Sequence, residues 1–229
     1  MADPVIEARG LYKNFGTTPV LCGVDLKLKR GDGAAILGSN GAGKSTLAAI
    51  LAGMAAPSSG RATLFGEDSH RLSPANRRRL GVMTHQSFLY PSLTARENLE
   101  FYAALYGLDG PRARAERALE RVGLAAASEE RARALSRGME QRLSIARAML
   151  AGPEVLLLDE PFAGLDAGGV AIVTAMIEEA MARGCAVVMT AHATSGLAGL
   201  DLDRWELKGG RLVALQPSPA KARAPIGRS

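Results

Sequence analysis

The order of hydrophobic and polar positions along the chain predicts alternating strands and helices after a β-rich beginning. Short apolar runs bounded by glycine or proline indicate strands, whereas apolar residues three and four positions apart indicate helices. The predicted strands are Val5–Phe15, Val24–Leu28, Ala34–Leu37, Arg61–Phe65, Val82–Thr84, Val155–Asp159, Ala186–Ala191, Arg204–Leu207 and Arg211–Leu215. The predicted helices are Lys44–Met54, Thr94–Tyr106, Pro111–Val122, Met139–Ala151 and Gly168–Arg183.

This alternation predicts an α/β fold with a mainly parallel sheet. An antiparallel β portion is expected at the N-terminus, and a helical subdomain is expected as an insertion near residues 87–151. Residues 1–215 are interpreted as a single domain. Residues 216–229 contain Lys221, Arg223 and Arg228 but no acidic residue, and are expected to form a basic flexible tail.

Composition narrows the classes of function. Hydrophobic residues make up 47% of the 229 positions and aromatic residues only 4%, so we expect no aromatic platform for nucleic-acid bases and no nucleic-acid partner. The apolar runs are shorter than the ~20 residues that a bilayer-spanning helix needs. Cys22 and Cys185 predict neither a disulfide framework nor a zinc site, which favours a cytoplasmic location.

The net charge of +5 is partly due to the tail. Most other arginines alternate with Ala, Leu and Glu on predicted helices, where they are typical of solvated faces. Contact with anionic lipid or an acidic partner is the alternative interpretation.

A glycine-rich segment between a predicted strand and a predicted helix has the spacing of a phosphate-binding loop, or P-loop. Glycines allow backbone N–H groups to face phosphate oxygens, the lysine adds positive charge, and the serine hydroxyl is the expected Mg²⁺ ligand. The fold is therefore interpreted as a P-loop NTPase core that binds a nucleoside triphosphate and Mg²⁺. The residues expected to bind the nucleotide here are Gly38, Ser39, Asn40, Gly41, Ala42, Gly43, Lys44, Ser45 and Thr46.

Two further segments follow the P-loop in a fixed order. Leu135-Ser136-Arg137-Gly138-Met139 opens a helix, and Val155–Asp159 is an apolar strand followed directly by Glu160. Side chains alternate along a strand, so the carboxylates of Asp159 and Glu160 are expected to point apart and to do different work. With Gln86 before the first segment and His192 after the second, the chain resembles the ATP-binding subunits of ABC transporters over residues 5–215.

The resemblance implies roles for four residues around the γ-phosphate. Asp159 orients Mg²⁺, and Glu160 positions or deprotonates the attacking water. Gln86 is a metal ligand that senses the γ-phosphate, and His192 hydrogen-bonds that phosphate. The alternatives from the residues alone are a strand-end ion pair for the carboxylates, an exposed loop glutamine and a structural histidine.

The resemblance also implies a base contact and a site divided between two chains. Phe15 is expected to stack on adenine, although an aromatic packed on the core is the alternative. Ser136 and Gly138 cap the γ-phosphate held by a second copy of the chain, and Asp166 lies at the interface between the copies. Arg137 and Met139 depart from the usual Leu-Ser-Gly-Gly-Gln of this motif.

A membrane partner is implied as well. In the family, a permease subunit docks near Gln86–Tyr90, which places the chain peripherally on the cytoplasmic face of the inner membrane. Residues 85–102 and 158–162 are most similar to the ATP-binding subunits of haem exporters of cytochrome c maturation. Drug, lipid and polysaccharide exporters share many of these features, and a non-transport ABC ATPase is the alternative of a different class.

Overall fold

This computed structural model describes residues 3–192 and 196–216, which contain two β-sheets and six α-helices joined by 3-10 turns and loops. The strands are Ile6–Phe15 (β1), Thr18–Leu28 (β2), Gly33–Leu37 (β3), Ser59–Leu64 (β4), Glu67–Asp68 (β5), Leu80–Met83 (β6), Val155–Asp159 (β7), Ala186–Ala191 (β8), Asp203–Lys208 (β9) and Arg211–Gln216 (β10). The helices are Lys44–Leu51 (α1), Pro74–Arg77 (α2), Ala95–Leu105 (α3), Pro111–Arg121 (α4), Arg137–Met149 (α5) and Ala167–Ala182 (α6).

The larger sheet has the strand order β10-β9-β3-β8-β7-β6. Its strands β9, β3, β8, β7 and β6 are parallel, and β10 pairs antiparallel with β9 at the edge. The smaller sheet, β2-β1-β4-β5, is antiparallel throughout. The predicted α/β class, with a mainly parallel sheet and an N-terminal antiparallel portion, is confirmed.

Both faces of the parallel sheet are buried, because successive side chains of a strand alternate between them. In β7, Leu156 and Leu158 belong to a core shared with α3, α4, α5 and α6. Val155 and Leu157 belong to a second core shared with α1 and the antiparallel sheet. The near-continuous apolar sequence of the strand follows from this burial on two sides.

Several element boundaries differ from the predicted ones. Strand β2 begins at Thr18 rather than Val24, because its first half pairs with β1 across a two-residue turn. Helix α5 begins at Arg137 rather than Met139, since the Ser136 hydroxyl caps it by accepting from the backbone N–H of Met139. The short elements β5 and α2 were not predicted. The C-terminal hairpin joins the parallel sheet through β9, and residues 217–229 of the predicted tail lie outside the described residues.

The segment before α3 is fixed by a buried asparagine. Asn98 has no exposed surface, and its Oδ1 accepts a hydrogen bond from the backbone N–H of Tyr90 at 2.7 Å. Its Nδ2 donates to the carbonyl oxygens of Tyr90, Leu93 and Thr94 at 3.1, 3.3 and 2.9 Å. One side chain thereby sets the path of residues 90–94. The extent of the helical subdomain, residues 87–151, stays a prediction.

Replacing Asn98 with Asp is expected to destabilise the fold. The substitution keeps the size of the side chain but removes the donors, and it turns a carboxylate toward three carbonyl oxygens. We expect a loss of about 2–4 kcal/mol in the free energy of unfolding, measured by urea denaturation. Glu120→Gln, an exposed change on α4, is the control. An Asn98→Asp variant as stable as the wild type would contradict this account.

Candidate active site

The P-loop connects β3 to α1 at the carboxyl edge of the parallel sheet. Gly43, the last loop residue, has a φ of +100°, a backbone conformation that side-chain-bearing residues rarely adopt. A Cβ atom there would lie 2.9 Å from Cγ1 of Val20. Only glycine therefore allows the loop to turn into α1 at this point.

The Lys44 side chain folds back over the loop. Lys44 is only 5% exposed, and its Nζ donates to the carbonyl oxygens of Gly38 at 2.8 Å and Ser39 at 3.0 Å. Its positive charge is thus held within the loop, where phosphate oxygens would meet it.

Two cavities adjoin the loop. One, of about 580 Å³, is lined by Gly38, Ser39, Asn40 and His192 together with residues of β3, β9 and β10. The other, of about 250 Å³, is lined by residues that include Ser45, Asp159 and Glu160. Gly41, Ala42 and Thr46 belong to the loop and α1 but to neither lining.

Asp159 ends β7 and is 5% exposed. Its Oδ1 accepts a hydrogen bond of 2.5 Å from the hydroxyl of Thr190, its register partner on β8. The carboxylate of Asp159 and the hydroxyl of Ser45 provide hard oxygen donors at one cavity, which fits the ligand preference of Mg²⁺. The described residues hold no cluster of three or more His, Cys, Asp or Glu suited to a metal, so phosphate and water oxygens would complete such a site.

Glu160 has a strained backbone. Its φ of +54° lies in the left-handed region, which costs a non-glycine residue about 1–2 kcal/mol. Pro161 follows and disfavours the right-handed helical alternative for Glu160. The backbone N–H of Glu160 donates to Thr190 Oγ1 at 3.1 Å, and its carbonyl oxygen accepts from Gln141 Nε2 at 2.8 Å. These contacts hold the strained residue in place.

His192 connects the lysine to the glutamate. Its Nε2 lies 2.5 Å from Glu160 Oε1, and its Nδ1 lies 3.3 Å from Lys44 Nζ. Because the lysine has only donors, Nδ1 is the acceptor and Nε2 carries the proton that faces the carboxylate. The structure therefore brings together Lys44, Glu160 and His192, three residues predicted from the sequence.

Two other predicted residues lie apart from this group. Gln86 is exposed and is absent from the lining of the cavity at Ser45, which its neighbours His85 and Ser87 do line. Phe15 is 57% exposed, so the alternative that it packs in the core is wrong. The ring of Phe15 lies 5.1 Å from the ammonium group of Lys13.

Ser136, Gly138 and Asp166 are absent from the linings of both cavities at the P-loop. Asp166 caps α6, because its Oδ1 accepts from the backbone N–H of Gly169 at 2.7 Å. A Cβ atom on Gly138 would lie 3.1 Å from the carbonyl oxygen of Gly164. The start of α5 thus packs against the turn that precedes α6.

Thr190 and Gln141 contact the site residues but were not predicted from the sequence to do so. A polar residue inside the apolar run of β8 was the available signal for Thr190, which has no exposed surface. Gln141 is an ordinary residue on a polar helix, and only the tertiary structure brings its amide to Glu160.

An exposed apolar patch, defined here as Phe88, Tyr90, Phe101 and Leu105, lies beside the segment that follows Gln86. Their exposed fractions are 38, 44, 40 and 60%. Beneath it, Arg147 of α5 donates to the carbonyl oxygen of Val82 at 2.7 Å.

The guanidinium of Arg147 also lies 5.5 Å from the centre of the Phe88 ring and 5.2 Å from that of the Tyr102 ring. Burial lowers the pKa of Arg147, and the neighbouring Tyr102 and Tyr106 act in the opposite direction.

Residues 21–163 match the family model described as ABC transporter. The chain belongs to the ABC transporter family. The matched residues include the P-loop, the segment at Ser136 and the carboxylates of Asp159 and Glu160. The expectation of an ABC-type ATP-binding domain is confirmed.

Similar proteins include ATP-binding proteins named for drug resistance. The chain is 38% identical over 192 residues to a daunorubicin resistance ATP-binding protein of Streptomyces coeruleorubidus, covering 83% of this chain and 61% of that protein. It is 32% identical over 190 residues to a linearmycin resistance ATP-binding protein of Bacillus subtilis, covering 82% of this chain and 61% of that protein. The ABC chain thus spans about three fifths of the length of these relatives.

A solved structure from Clostridium perfringens, described as part of the ABC transporter complex cbiONQ, superimposes with a TM-score of 0.79. It is 30% identical, and the match covers 98% of this chain and 92% of that chain. Of the helices formed by residues 3–192 and 196–216 of this ABC domain, none is both long and apolar enough to cross a membrane.

Proposed function

We propose that this chain binds and hydrolyses ATP, and that a pair of such chains drives a separate membrane permease. The observation that carries the proposal is the convergence of Lys44, Asp159, Glu160 and His192 at one edge of the parallel sheet. A positive charge for phosphates, a metal-compatible carboxylate and a second carboxylate for water are the groups that phosphoryl transfer to water requires.

Binding rests on the P-loop and its flanks. The backbone N–H groups of residues 38–44 and the Nζ of Lys44 hold the phosphates, and Phe15 is exposed and free to stack on a purine. Ser45 and Asp159 would hold Mg²⁺, which supplies charge stabilisation on phosphate oxygens when bound. Gln86, which is exposed and lies outside the lining of that cavity, stays a predicted third ligand.

Hydrolysis rests on Glu160. Its carboxylate accepts a proton from a water molecule as the water oxygen attacks the γ-phosphorus and the bond to ADP breaks. The Nε2–H of His192, 2.5 Å from Oε1, fixes the direction of this carboxylate. The contacts of the Glu160 backbone with Thr190 and Gln141 hold this strained residue at the strand end.

A complete site needs a second copy of the chain. Ser136 and Gly138 lie at the start of α5, where free N–H groups and the helix dipole favour a phosphate. Ser136 and Gly138 line neither cavity beside the P-loop of the same chain, although Arg137 between them lines the one at Ser45, and we assign them to the nucleotide held by the partner copy. Asp166 then lies in the turn that faces the other chain.

The exposed apolar patch is the proposed contact with the permease. A contiguous apolar surface rimmed by polar residues is typical of a protein interface. Its position next to Gln86 would transmit movements at the γ-phosphate to the membrane subunit, with the chain on the cytoplasmic face of the inner membrane. The Clostridium perfringens structure, described as part of a transporter complex, supports a role as one subunit among others.

We propose export of a small molecule as the transported function, supported by the two drug-resistance relatives. Export of haem for cytochrome c maturation stays a prediction that rests on the resemblance of residues 85–102 and 158–162.

The first experiment tests hydrolysis. Glu160→Gln removes the base but keeps the shape of the side chain, so we expect turnover to fall by about 10²–10⁴-fold while ATP binding stays near that of the wild type. Phosphate release and fluorescent-nucleotide titration measure the two quantities. Glu120→Gln is the matched control. Hydrolysis by the Glu160 variant at the wild-type rate would remove Glu160 from this role.

The second experiment tests the two-chain site. Ser136→Asp keeps the helix cap but places a negative charge where a phosphate would lie, so we expect ATP binding without ATP-driven dimerisation, measured by light scattering. Thr94→Asp makes the same change at the cap of α3 and should dimerise normally. A Ser136→Asp variant that dimerises with ATP like the wild type would refute the proposed capping.

The third experiment tests docking. Tyr90→Asp should spare basal ATPase activity and weaken co-purification with the membrane subunit, because Tyr90 is 44% exposed. Val213→Asp changes a residue of β10 that is 49% exposed and serves as the control. A large fall in melting temperature with Tyr90→Asp would instead show that the residue belongs to the core.

A further inference from the structure

The turn from Glu160 to Asp166 is held by α5 at two points. At its beginning, Gln141 Nε2 donates to the carbonyl oxygen of Glu160 at 2.8 Å. Near its end, the Arg137 side chain packs on Gly164, where a Cβ atom would lie 3.2 Å from Cδ of Arg137. Arg137 and Gln141 are four residues apart and therefore lie on one face of the helix.

We propose that Gln141 is a positioning residue for Glu160, an inference that rests on the proposed role of Glu160 in hydrolysis. Glu160 has a left-handed backbone with a φ of +54°, which persists only where the surroundings impose it. Its backbone N–H is held by Thr190, at Oγ1 and at the carbonyl oxygen. Its carbonyl oxygen accepts from the backbone N–H of Ala163 at 3.1 Å and from the Gln141 amide at 2.8 Å, and Gln141 is the side-chain donor to this oxygen among the described residues.

The geometry assigns different consequences to these two anchors. Thr190 also donates to Asp159 Oδ1, so a change there would disturb the proposed metal ligand. Gln141 lines the same cavity as Ser45 and Asp159, but among the hydrogen bonds of the described residues its side chain bonds to the Glu160 carbonyl and to neither the P-loop nor Asp159. Loss of its amide should therefore change the direction of the Glu160 carboxylate and leave nucleotide binding intact.

The neighbouring residue provides a matched control. Arg142, also on α5, donates to the carbonyl oxygens of Val122 at 2.7 Å and Gly123 at 3.3 Å. Replacing Arg142 with Met removes side-chain to backbone hydrogen bonds from the same helix, away from Glu160. A general effect of weakening α5 would appear in both variants.

The experiment compares Gln141→Met, Gln141→Lys and Arg142→Met in the full chain, with kcat and KM for MgATP as readouts. A misplacement of about 1 Å in a catalytic group can lower the rate by about 100-fold. We expect Gln141→Met to lower kcat by about 10–100-fold with KM within about twofold. Gln141→Lys keeps a donor and should retain most of the wild-type kcat, and Arg142→Met should keep both constants.

The same substitutions in a Glu160→Gln background separate positioning from a general effect. If Gln141 acts through Glu160, its substitution should have little further effect once the Glu160 carboxylate is gone, because the effects of residues that act as a unit are not additive. Adding Gln141→Met to Glu160→Gln should therefore lower the rate of single-turnover hydrolysis by less than about twofold. A full additional loss there, an equal loss in Arg142→Met, or wild-type kcat in Gln141→Met would each overturn the inference.

Two further comparisons distinguish a folding defect, or an error in the role of Glu160, from an error in the role of Gln141. If Gln141→Met does not fold, Gln141→Glu, which keeps the shape without the donor, replaces it with the same expected and contradicting results. If Glu160→Gln hydrolyses ATP at the wild-type rate, the proposed function of Glu160 is wrong, and so is the positioning role of Gln141. A slow Glu160→Gln with an unimpaired Gln141→Met overturns the positioning role alone.

Discussion

Burial of both faces of the parallel sheet is the constraint on which the rest of the structure depends. Strands such as β7 and β8 are covered by helices on one side and by α1 and the antiparallel sheet on the other. Charged groups are therefore costly along their length and are tolerated where the strands end. Asp159, Glu160 and His192 stand at or just beyond those ends, and the adjacent end of β3 leads into the P-loop.

The elements that burial on two sides determines locally were predicted from the sequence. Strands β7 and β8 were predicted with the boundaries that the structure has, because a buried parallel strand is a short apolar run with sharp ends. The P-loop was predicted from its glycine spacing, and the carboxylates and His192 from the resemblance to ATP-binding subunits of ABC transporters. The first half of β2 and the start of α5 were missed, since strand pairing and a helix cap determine them rather than hydrophobic periodicity.

The supporting residues around the site were beyond prediction for a different reason. Thr190 contacts Asp159 across neighbouring strands, and Gln141 reaches Glu160 from a helix 19 residues away in sequence. Threonine and glutamine occur in many structural contexts, so the roles of Thr190 and Gln141 follow from their three-dimensional positions. Asn98 and Arg147 are similar, because each donates to backbone carbonyl oxygens of a segment outside its own helix.

Helix α5 also has a property that follows from its length and direction. It is capped by Ser136, holds Glu160 through Gln141 in its second turn, and reaches Val82 and the Phe88 ring through Arg147 at its far end. A stiff helix moves as one body, so a displacement at its first residue is felt at all three places. In a symmetric pair of chains, each site would then sense the occupancy of the other. In the proposed pair of chains, the helix would thus link the residue that caps one nucleotide to the carboxylate that faces the other.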